Sequence, residues 1–498
     1  MSDQSLPKQP VQSSRRKWLV LLSIGIGSFM AALDGSVVNT ILPVLRDAFK
    51  SNVAAIEWVV VVYLLAVSGL LLTFGRLGDL RGHKLVYLLG FIIFVGGSAL
   101  CGMAGSAFAL VTSRCLQAIG AAMLLANSPA ILTQNFPGNQ RGQALGLQAT
   151  MTYLGLTAGP ALGGWLATNY SWRTVFYINV PVGLLALILS WIFIPLDRGS
   201  SQVERFDLAG AVLFLAGLVA LLLGLNKGAE WGWISAPILG LIAAAVALLA
   251  IFVFVELRIP SPMLDLRLFG SRVFSAATAS AVLNYVALYS IIFLLPFYLI
   301  QGRGLTPAQA GLILTAQPLA MAAAAPVSGT LSDRLGSRLP ATLGMLILAG
   351  AMLMLSQIDL QTPWATISTG LAIAGLGTGI FISPNSSALM GSAPRNRQGI
   401  ASGILATARN VGMVLGIGMA GAFFTSTLVP SEPVTLYRAV DAGLMAAAGV
   451  ALLGSLVAFT RGEDRKKLAT EGSEKEREQK TESRVRDERR PRVENREP

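Results

Sequence analysis

At 498 residues, 53% hydrophobic and only 13% charged, with a mean hydropathy of +0.63, the chain carries more apolar surface than a soluble core can hide. This excludes an ordinary soluble enzyme and predicts an all-α polytopic membrane protein. The formal net charge of +12 could suggest nucleic acid, but the bases fall in short loops between apolar runs and in the tail, so they read as topology signals and no nucleic-acid partner is expected.

Residues 1–17 form a basic arm, and the apolar run after Lys17 is longer than the hydrophobic region of a signal peptide, so it is expected to stay as a span over 18–42. Within that span, Leu33-Asp-Gly-Ser-Val-Val-Asn-Thr-Ile-Leu-Pro43 buries Asp34 in an otherwise apolar helix. Carboxylates at such depth are rare and usually functional. Burial disfavours the charged form, so Asp34 can hold a proton when shut away and lose it when water arrives; the alternative is a carboxylate permanently paired for assembly only.

A second span, 54–74, leads into Gly75-Arg-Leu-Gly-Asp-Leu-Arg-Gly-His-Lys84, in which Gly75, Asp79, Arg81, Gly82 and Lys84 are read as a conformational latch. Glycines permit a tight turn there, and Asp79 can pair across the loop or cap the N-terminus of a neighbouring helix. Spans follow at 85–104 and 107–134; the latter carries Arg114, the natural partner of Asp34, and Gln117 one turn on. The span 143–168 has Gly155, Gly159 and Gly163 four apart on one face, with Pro160 and Gly164 beside them, a hinge in which small faces let helices approach and proline adds a bend. A sixth span covers 173–195.

The pair at 207–226 and 235–255 is turned by Glu230-Trp-Gly-Trp233, which is expected to place aromatics at the membrane interface. Six more spans are expected at 273–300, 309–331, 339–356, 363–390, 398–425 and 438–460, for about fourteen in all. Asp333, Arg334 and Gly336 repeat the latch in this second set. Beyond 460, Arg, Lys and Glu alternate in a solvated cytoplasmic tail. Bases at Arg76/Arg81/Lys84, Arg141, Arg198/Arg205, Arg258/Arg267/Arg272, Arg334/Arg338 and Arg395/Arg397 occupy every second connection, so both termini are expected in the cytoplasm.

The chain repeats itself. The spacing G-x-L-x-D-x-x-G at Gly75 returns at Gly329 with an offset of 254, and Pro137, Asn139, Gly142, Gly146, Gly155 and Gly159 return as Pro394, Asn396, Gly399, Gly403, Gly412 and Gly416 at 257. Two parallel six-helix halves are expected, 18–195 and 273–460, separated by an inserted hairpin with its linkers at 196–272 and flanked by the arm and a tail at 461–498. Candidates for lining a central cavity are Asn39, Tyr63, Gln117, Tyr153, Asn284, Tyr285, Gln317, Asn385 and Arg409. Cys101 and Cys115 lie inside apolar runs and are expected as free thiols; with His83 the only histidine, no metal site and no cofactor is expected.

These stretches together resemble the major facilitator superfamily, and within it the fourteen-span drug:proton antiporter family. Leu33–Pro43, the Gly75–Lys84 loop, Arg114, Gly155–Gly164 and Ser171-Trp-Arg-Thr-Val-Phe-Tyr-Ile-Asn-Val-Pro181 carry the likeness, over roughly residues 15 to 460. Leu80 and His83 stand where the loop motif usually has arginine. The resemblance implies a monomeric antiporter of the cytoplasmic membrane, surrounded by lipid, that exchanges amphiphilic small molecules for protons, with Asp34 and Arg114 as the proton-coupling pair. A dedicated exporter of one metabolite, natural product or lipid is the alternative cargo reading. A membrane enzyme needs a cluster of acids, histidines or cysteines that is not seen, and a transport-dead sensor fits poorly with Asp34 and Arg114 both present.

Overall fold

The computed structural model describes residues 14–51, 53–197, 206–260, 262–427 and 434–462. The tail from 463 onward, most of the N-terminal arm, and Arg198 and Arg205 lie outside the described residues. Within them the chain is helical throughout: α1 (Ser14–Phe49), α2 (Val53–Arg81), α3 (His83–Met103), α4 (Ala107–Asn135), α5 (Arg141–Asn169), α6 (Trp172–Tyr177), α7 (Asn179–Phe193), α8 (Leu208–Trp231), α9 (Ala236–Glu256), α10 (Arg272–Pro296), α11 (Pro307–Leu314), α12 (Ala316–Leu335), α13 (Arg338–Ser356), α14 (Trp364–Ser392), α15 (Gln398–Thr427) and α16 (Val434–Phe459).

Local chemistry sets the boundaries. Ser106, Ser171, Asp207 and Ser271 cap the first amides of α4, α6, α8 and α10, and Thr306 with Gln309 closes a capping box on α11. Gly82 and Gly336, at φ of 94° and 85°, make the sharp breaks between α2 and α3 and between α12 and α13, a conformation that side chains with a Cβ resist.

Thirteen helical stretches among the described residues are long and apolar enough to cross a membrane, with α6 and α7 forming one and α11 and α12 giving most of another. The expected fourteenth is α5, which has the length at 29 residues but not the apolarity. Its glycine, threonine and glutamine content suits a helix wedged between α1 and α12, where close approach matters more than affinity for lipid.

The packing repeats with the sequence. In the first half α1 packs on α5 and α7, α2 on α4, and α3 on α4 and α7; in the second, α10 packs on α15 and α16, α12 on α14, and α13 on α14 and α16. The halves meet crosswise, α5 against α12 and α2 against α15, while the α8/α9 hairpin sets α8 along the α2–α15 seam. In the turn of the hairpin Trp233 covers Gly228 and faces Gly418 of α15, whereas Trp231 is exposed.

Several contacts are backbone to backbone. A Cβ on Gly120 of α4 would collide with the Phe94 amide and the Gly90 carbonyl of α3. Gly120→Leu is therefore expected to cost more than the about 1–3 kcal/mol typical of overpacking, read as loss of the monodisperse species in detergent, whereas Gly96→Ala, where no atom lies within 4 Å of the added carbon, leaves it intact.

Candidate functional site

Asp34 is fully buried within the first half. Arg114 Nη1 donates to its Oδ2 at 2.6 Å, and Oδ1 accepts from Gln117 Nε2 at 3.0 Å and Asn179 Nδ2 at 2.9 Å. One carboxylate thus ties together α1, α4 and the start of α7. The surroundings of Arg114 are as full: Nε donates to the Val59 carbonyl at 3.3 Å, Nη1 also reaches Gln117 Oε1 at 2.8 Å, and the guanidinium lies 4.1 Å above the centre of the Tyr63 ring. Asn179 also donates to Ser98 Oγ at 3.1 Å, and Ser98 donates to the Phe176 carbonyl at 2.9 Å. A charge pair this dry is tolerated because every lone pair facing it meets a donor.

Asn179 and Ser98 were not among the sequence candidates. Asn179 had a signal, a lone amide between Ile178 and Val180 in an apolar stretch; Ser98 had none, since a serine in a span normally bonds back to its own helix.

The two loop aspartates act across the halves. Asp79, at the end of α2, accepts from the Gly399 and Ile400 amides at the start of α15, at 2.7 and 2.9 Å. Asp333, at the end of α12, accepts from the Gly142 and Gln143 amides at the start of α5, at 2.9 and 3.0 Å. Each carboxylate meets the positive end of a helix from the opposite half. The glycines let it happen: a Cβ on Gly75 would strike the Gly399 carbonyl, and one on Gly142 the Gly329 carbonyl. Arg81 and Arg334 are exposed, and Lys84 Nζ donates to the Trp191 carbonyl at 2.7 Å. Asp197 was missed by the sequence reading; its carboxylate caps α3 through the His83 and Lys84 amides at 2.6 and 3.0 Å.

Further along the seam Ser383 donates to the Gly142 carbonyl, Thr150 to the Ala322 carbonyl, and Asn410 to Ser68 Oγ, at 2.7, 2.9 and 2.9 Å. These bonds between the halves run along α2, α5, α12 and α15 from the basic-loop end, where Ser383 meets Gly142, to mid-helix at Thr150 and Asn410.

The α5 glycines seat that helix on the helix of Asp34: Gly155 faces the Phe29 carbonyl, Gly159 the Ser36 side chain and Gly163 Val37. Gly164 faces open space, Pro160 is exposed, and α5 runs unbroken through both, so the hinge glycines divide into three in the contact and one outside it. The cavity candidates divide as well. Tyr63 and Gln117 belong to the Asp34 cluster, and Tyr153, Tyr285 and Arg409 lie where the halves meet. Asn39 is exposed and donates to its own helix at Gly35. Asn284 and Asn385 are corrected: both are buried inside the second half, Asn284 donating to Met345 Sδ and Asn385 to the Ala277 carbonyl while it accepts from Arg461 and Ser280. Gln317 is likewise buried, on the face of α12 that Gly375 of α14 touches. Polarity marked these three as unusual, but helix rotation turned the Asn284 and Asn385 side chains toward their own half. Cys101 and Cys115 are free, and no group of metal-binding side chains occurs among the described residues.

The sequence matches the Major Facilitator Superfamily over residues 24–259 and 277–493. The chain belongs to that superfamily. It is a multi-pass membrane transporter. It is similar to the riboflavin transporter RibZ of Clostridioides difficile, 35% identical over 418 residues that cover 84% of this chain and 90% of the relative. The multidrug resistance protein Stp of Mycobacterium tuberculosis is 32% identical over 428 residues, 86% of this chain and 79% of the relative. The tetracenomycin C resistance and export protein of Streptomyces glaucescens is 32% identical over 411 residues, 82% and 76%. Among solved structures, the human organic anion transporter MFSD10 (TETRAN) superposes with a TM-score of 0.64 at 16% identity, covering 91% of this transporter and all of that chain, a likeness of fold.

Proposed function

We propose that the protein is a proton-coupled antiporter of the fourteen-span drug:proton group, exporting small amphiphilic compounds across the cytoplasmic membrane by alternating access. The observation that carries this reading is the Asp34 carboxylate, fully buried and held by Arg114, Gln117 and Asn179 within one half. Protonation from the outer side removes the charge that Arg114 pairs with. Arg114 then keeps the Val59 carbonyl, Gln117 Oε1 and the Tyr63 ring, so the pair can part without orphaning a buried cation. Release of the same proton toward the cytoplasm restores the pair, and the halves return.

Asp79 and Asp333 serve as latches in this cycle. With the basic-loop end placed in the cytoplasm by its arginines and lysines, the arrangement described is the one closed toward the cytoplasm, with the helix N-termini of α5 and α15 held by carboxylates of the opposite half. The names of the relatives from M. tuberculosis and S. glaucescens favour drugs or toxic natural products as cargo. The name of the C. difficile relative favours instead a single metabolite. Purified protein in liposomes loaded with a pH-sensitive dye separates the two: an antiporter releases protons when a compound is added, many compounds indicate a multidrug exporter, and one indicates a dedicated carrier. Proton movement with none of them overturns the reading.

A further inference from the structure

One cation in the seam between the halves has no acidic partner among the described residues. Arg409 of α15 is partly exposed and, among the described residues, makes no hydrogen bond or ion pair. Gly412, one turn along α15 from Arg409, presses on Tyr285 of α10, and α15 packs on both α10 and α2, which sets the Arg409 charge near Tyr285 and Tyr289 of α10, Tyr63 of α2 and Tyr153 of α5, rings drawn from both halves. The place is a floor. One turn before Tyr153, toward the basic-loop end, Thr150 bonds the Ala322 carbonyl, and at the level of Arg409 itself Asn410 bonds Ser68, so both bonds hold the halves together there. Tyr153 packs in the second half's apolar cluster beside Tyr285 and Tyr289, although it belongs to the first half. The described carboxylates are occupied or elsewhere: Asp34 is matched by Arg114, Asp79 and Asp333 cap helices, and Asp441 sits on α16, which packs on α10, α13 and α15.

Resting on the transport reading above, we propose that this floor selects a planar aromatic cargo bearing a negative charge, its ring against the partly exposed Tyr285 and Tyr289 and its anion on the Arg409 guanidinium. A guanidinium pairs with a carboxylate or sulfonate through two parallel hydrogen bonds, and flat phenol faces accept a fused ring system with little ordering cost. A cationic compound meets the Arg409 charge with no counter-charge among the described residues beside it.

The test uses three probes with one ring system: anthracene-2-sulfonate, anthracene-2-sulfonamide and 2-(aminomethyl)anthracene, which are anionic, neutral and cationic. Binding to the purified full-length protein is read by energy transfer from tryptophan to the anthracene. The sulfonate is expected to bind about tenfold more tightly than the sulfonamide, the worth of a charge-assisted hydrogen bond, and the amine most weakly. Arg409→Gln should erase the order and Arg409→Lys keep its sense, both variants eluting as the parent does in detergent. Equal binding of the three, tightest binding of the amine, or an order unchanged in Arg409→Gln overturns the inference. The transport reading fails separately, if the sulfonate binds in this order and yet no compound moves protons in liposomes.

Different atoms carry a second inference, at the Asp79 latch. The Asn127 amide donates to the Met123 and Phe74 carbonyls at 2.8 and 3.2 Å, which fixes its oxygen toward His83. His83 Nδ1, 2.8 Å from that oxygen, must therefore carry a proton. The other nitrogen, Nε2, faces Asp79 Oδ1 at 3.4 Å, where a bare lone pair would confront a carboxylate. We infer that His83 is an imidazolium while the latch is closed, so closure binds a proton drawn from the cytoplasm. The groups around it are Asp79 from α2, Asn127 from α4, Asp197 beyond α7 and the neutral Gly399 backbone of α15; Arg76 stands one turn before Asp79 and Lys84 follows in sequence.

A state that binds the extra proton is favoured as pH falls and weakened as pH rises. Spin labels at Leu85 and Leu339, exposed at the starts of α3 and α13, report closure in a background lacking Cys101 and Cys115. The short-distance population should rise as the pH drops from about 8.5 to 5.5, around the ordinary histidine range. It should lose that dependence in His83→Gln and stay closed at every pH in His83→Arg. A distribution indifferent to pH, or one whose pH dependence survives His83→Gln, overturns the inference.

Discussion

Asp34→Asn is expected to abolish uphill, proton-driven export while the protein remains folded and inserted. The amide oxygen that replaces Oδ2 can still accept from Arg114 Nη1, so the 2.6 Å contact has a neutral substitute, but no proton can be exchanged there. What disappears is the driving force: one proton falling through ~100 mV supplies ~2.3 kcal/mol, and each pH unit adds ~1.4 kcal/mol. Together these sustain a cargo gradient of about two to three decades at ~1.4 kcal/mol per decade. In proteoliposomes with an imposed pH gradient, accumulation by the variant should fall to the background of empty vesicles, while cargo-for-cargo exchange continues because it needs no change of charge. Undiminished proton-driven accumulation would overturn the role given to Asp34. The contrast with Arg114→Ala is sharp, since that variant leaves a buried carboxylate with amide partners alone and should lose about 3–5 kcal/mol of stability, seen as aggregation on extraction. A pair that served assembly alone would give the opposite ranking of transport, with Asp34→Asn still pumping.

The second large effect concerns the latches. Asp79→Asn together with Asp333→Asn removes two carboxylates that each accept from two helix N-terminal amides across the seam. A charge in this position is worth up to ~2 kcal/mol in a partly buried setting, so each loss should shift the balance between closed and open by up to about 30-fold. The Leu85 and Leu339 labels should then report a longer mean distance, and cargo binding from the outer side should weaken because the outward-facing arrangement is less populated. Gly142→Ala and Gly399→Ala test the same contact sterically, since the added carbon would press on backbone of the opposite half. If the double aspartate variant kept the parent's distance distribution, the carboxylates would be incidental to closure.

These two effects are coupled through α5. It carries Gly155, Gly159 and Gly163 against α1, the helix of Asp34, and its first amides are held by Asp333 of the other half. A change of charge at Asp34 and a change of seating at Asp333 therefore act on opposite ends of one rigid element.

Much of this was legible along the chain because membrane constraints act on one dimension. Apolar length alone delimits spans, and duplication appears as a fixed offset, so the paired loop aspartates Asp79 and Asp333 and the internal repeat were visible in residues 75–84, 329–336 and the glycine series. An acid in the first span announces itself by being costly there. The one span that apolarity understates is α5, because a helix pressed between α1 and α12 is selected for small side chains instead of lipid contact.

What only the tertiary structure decided is direction. The sequence places Asp79 beside glycines; the fold sends its carboxylate to Gly399 and Ile400 of the other half, more than three hundred residues away. It likewise brings Asn179 and Ser98 to Asp34, turns Asn284 and Asn385 into the core of their own half, and leaves Arg409 among tyrosines from three helices. The reason is angular. Each residue turns a helix by about 100°, so depth in the membrane can be counted from the sequence, but the facing of a side chain depends on how neighbouring helices are rotated and packed, a matter of three-dimensional fit between small residues that no periodicity in one strand of text records.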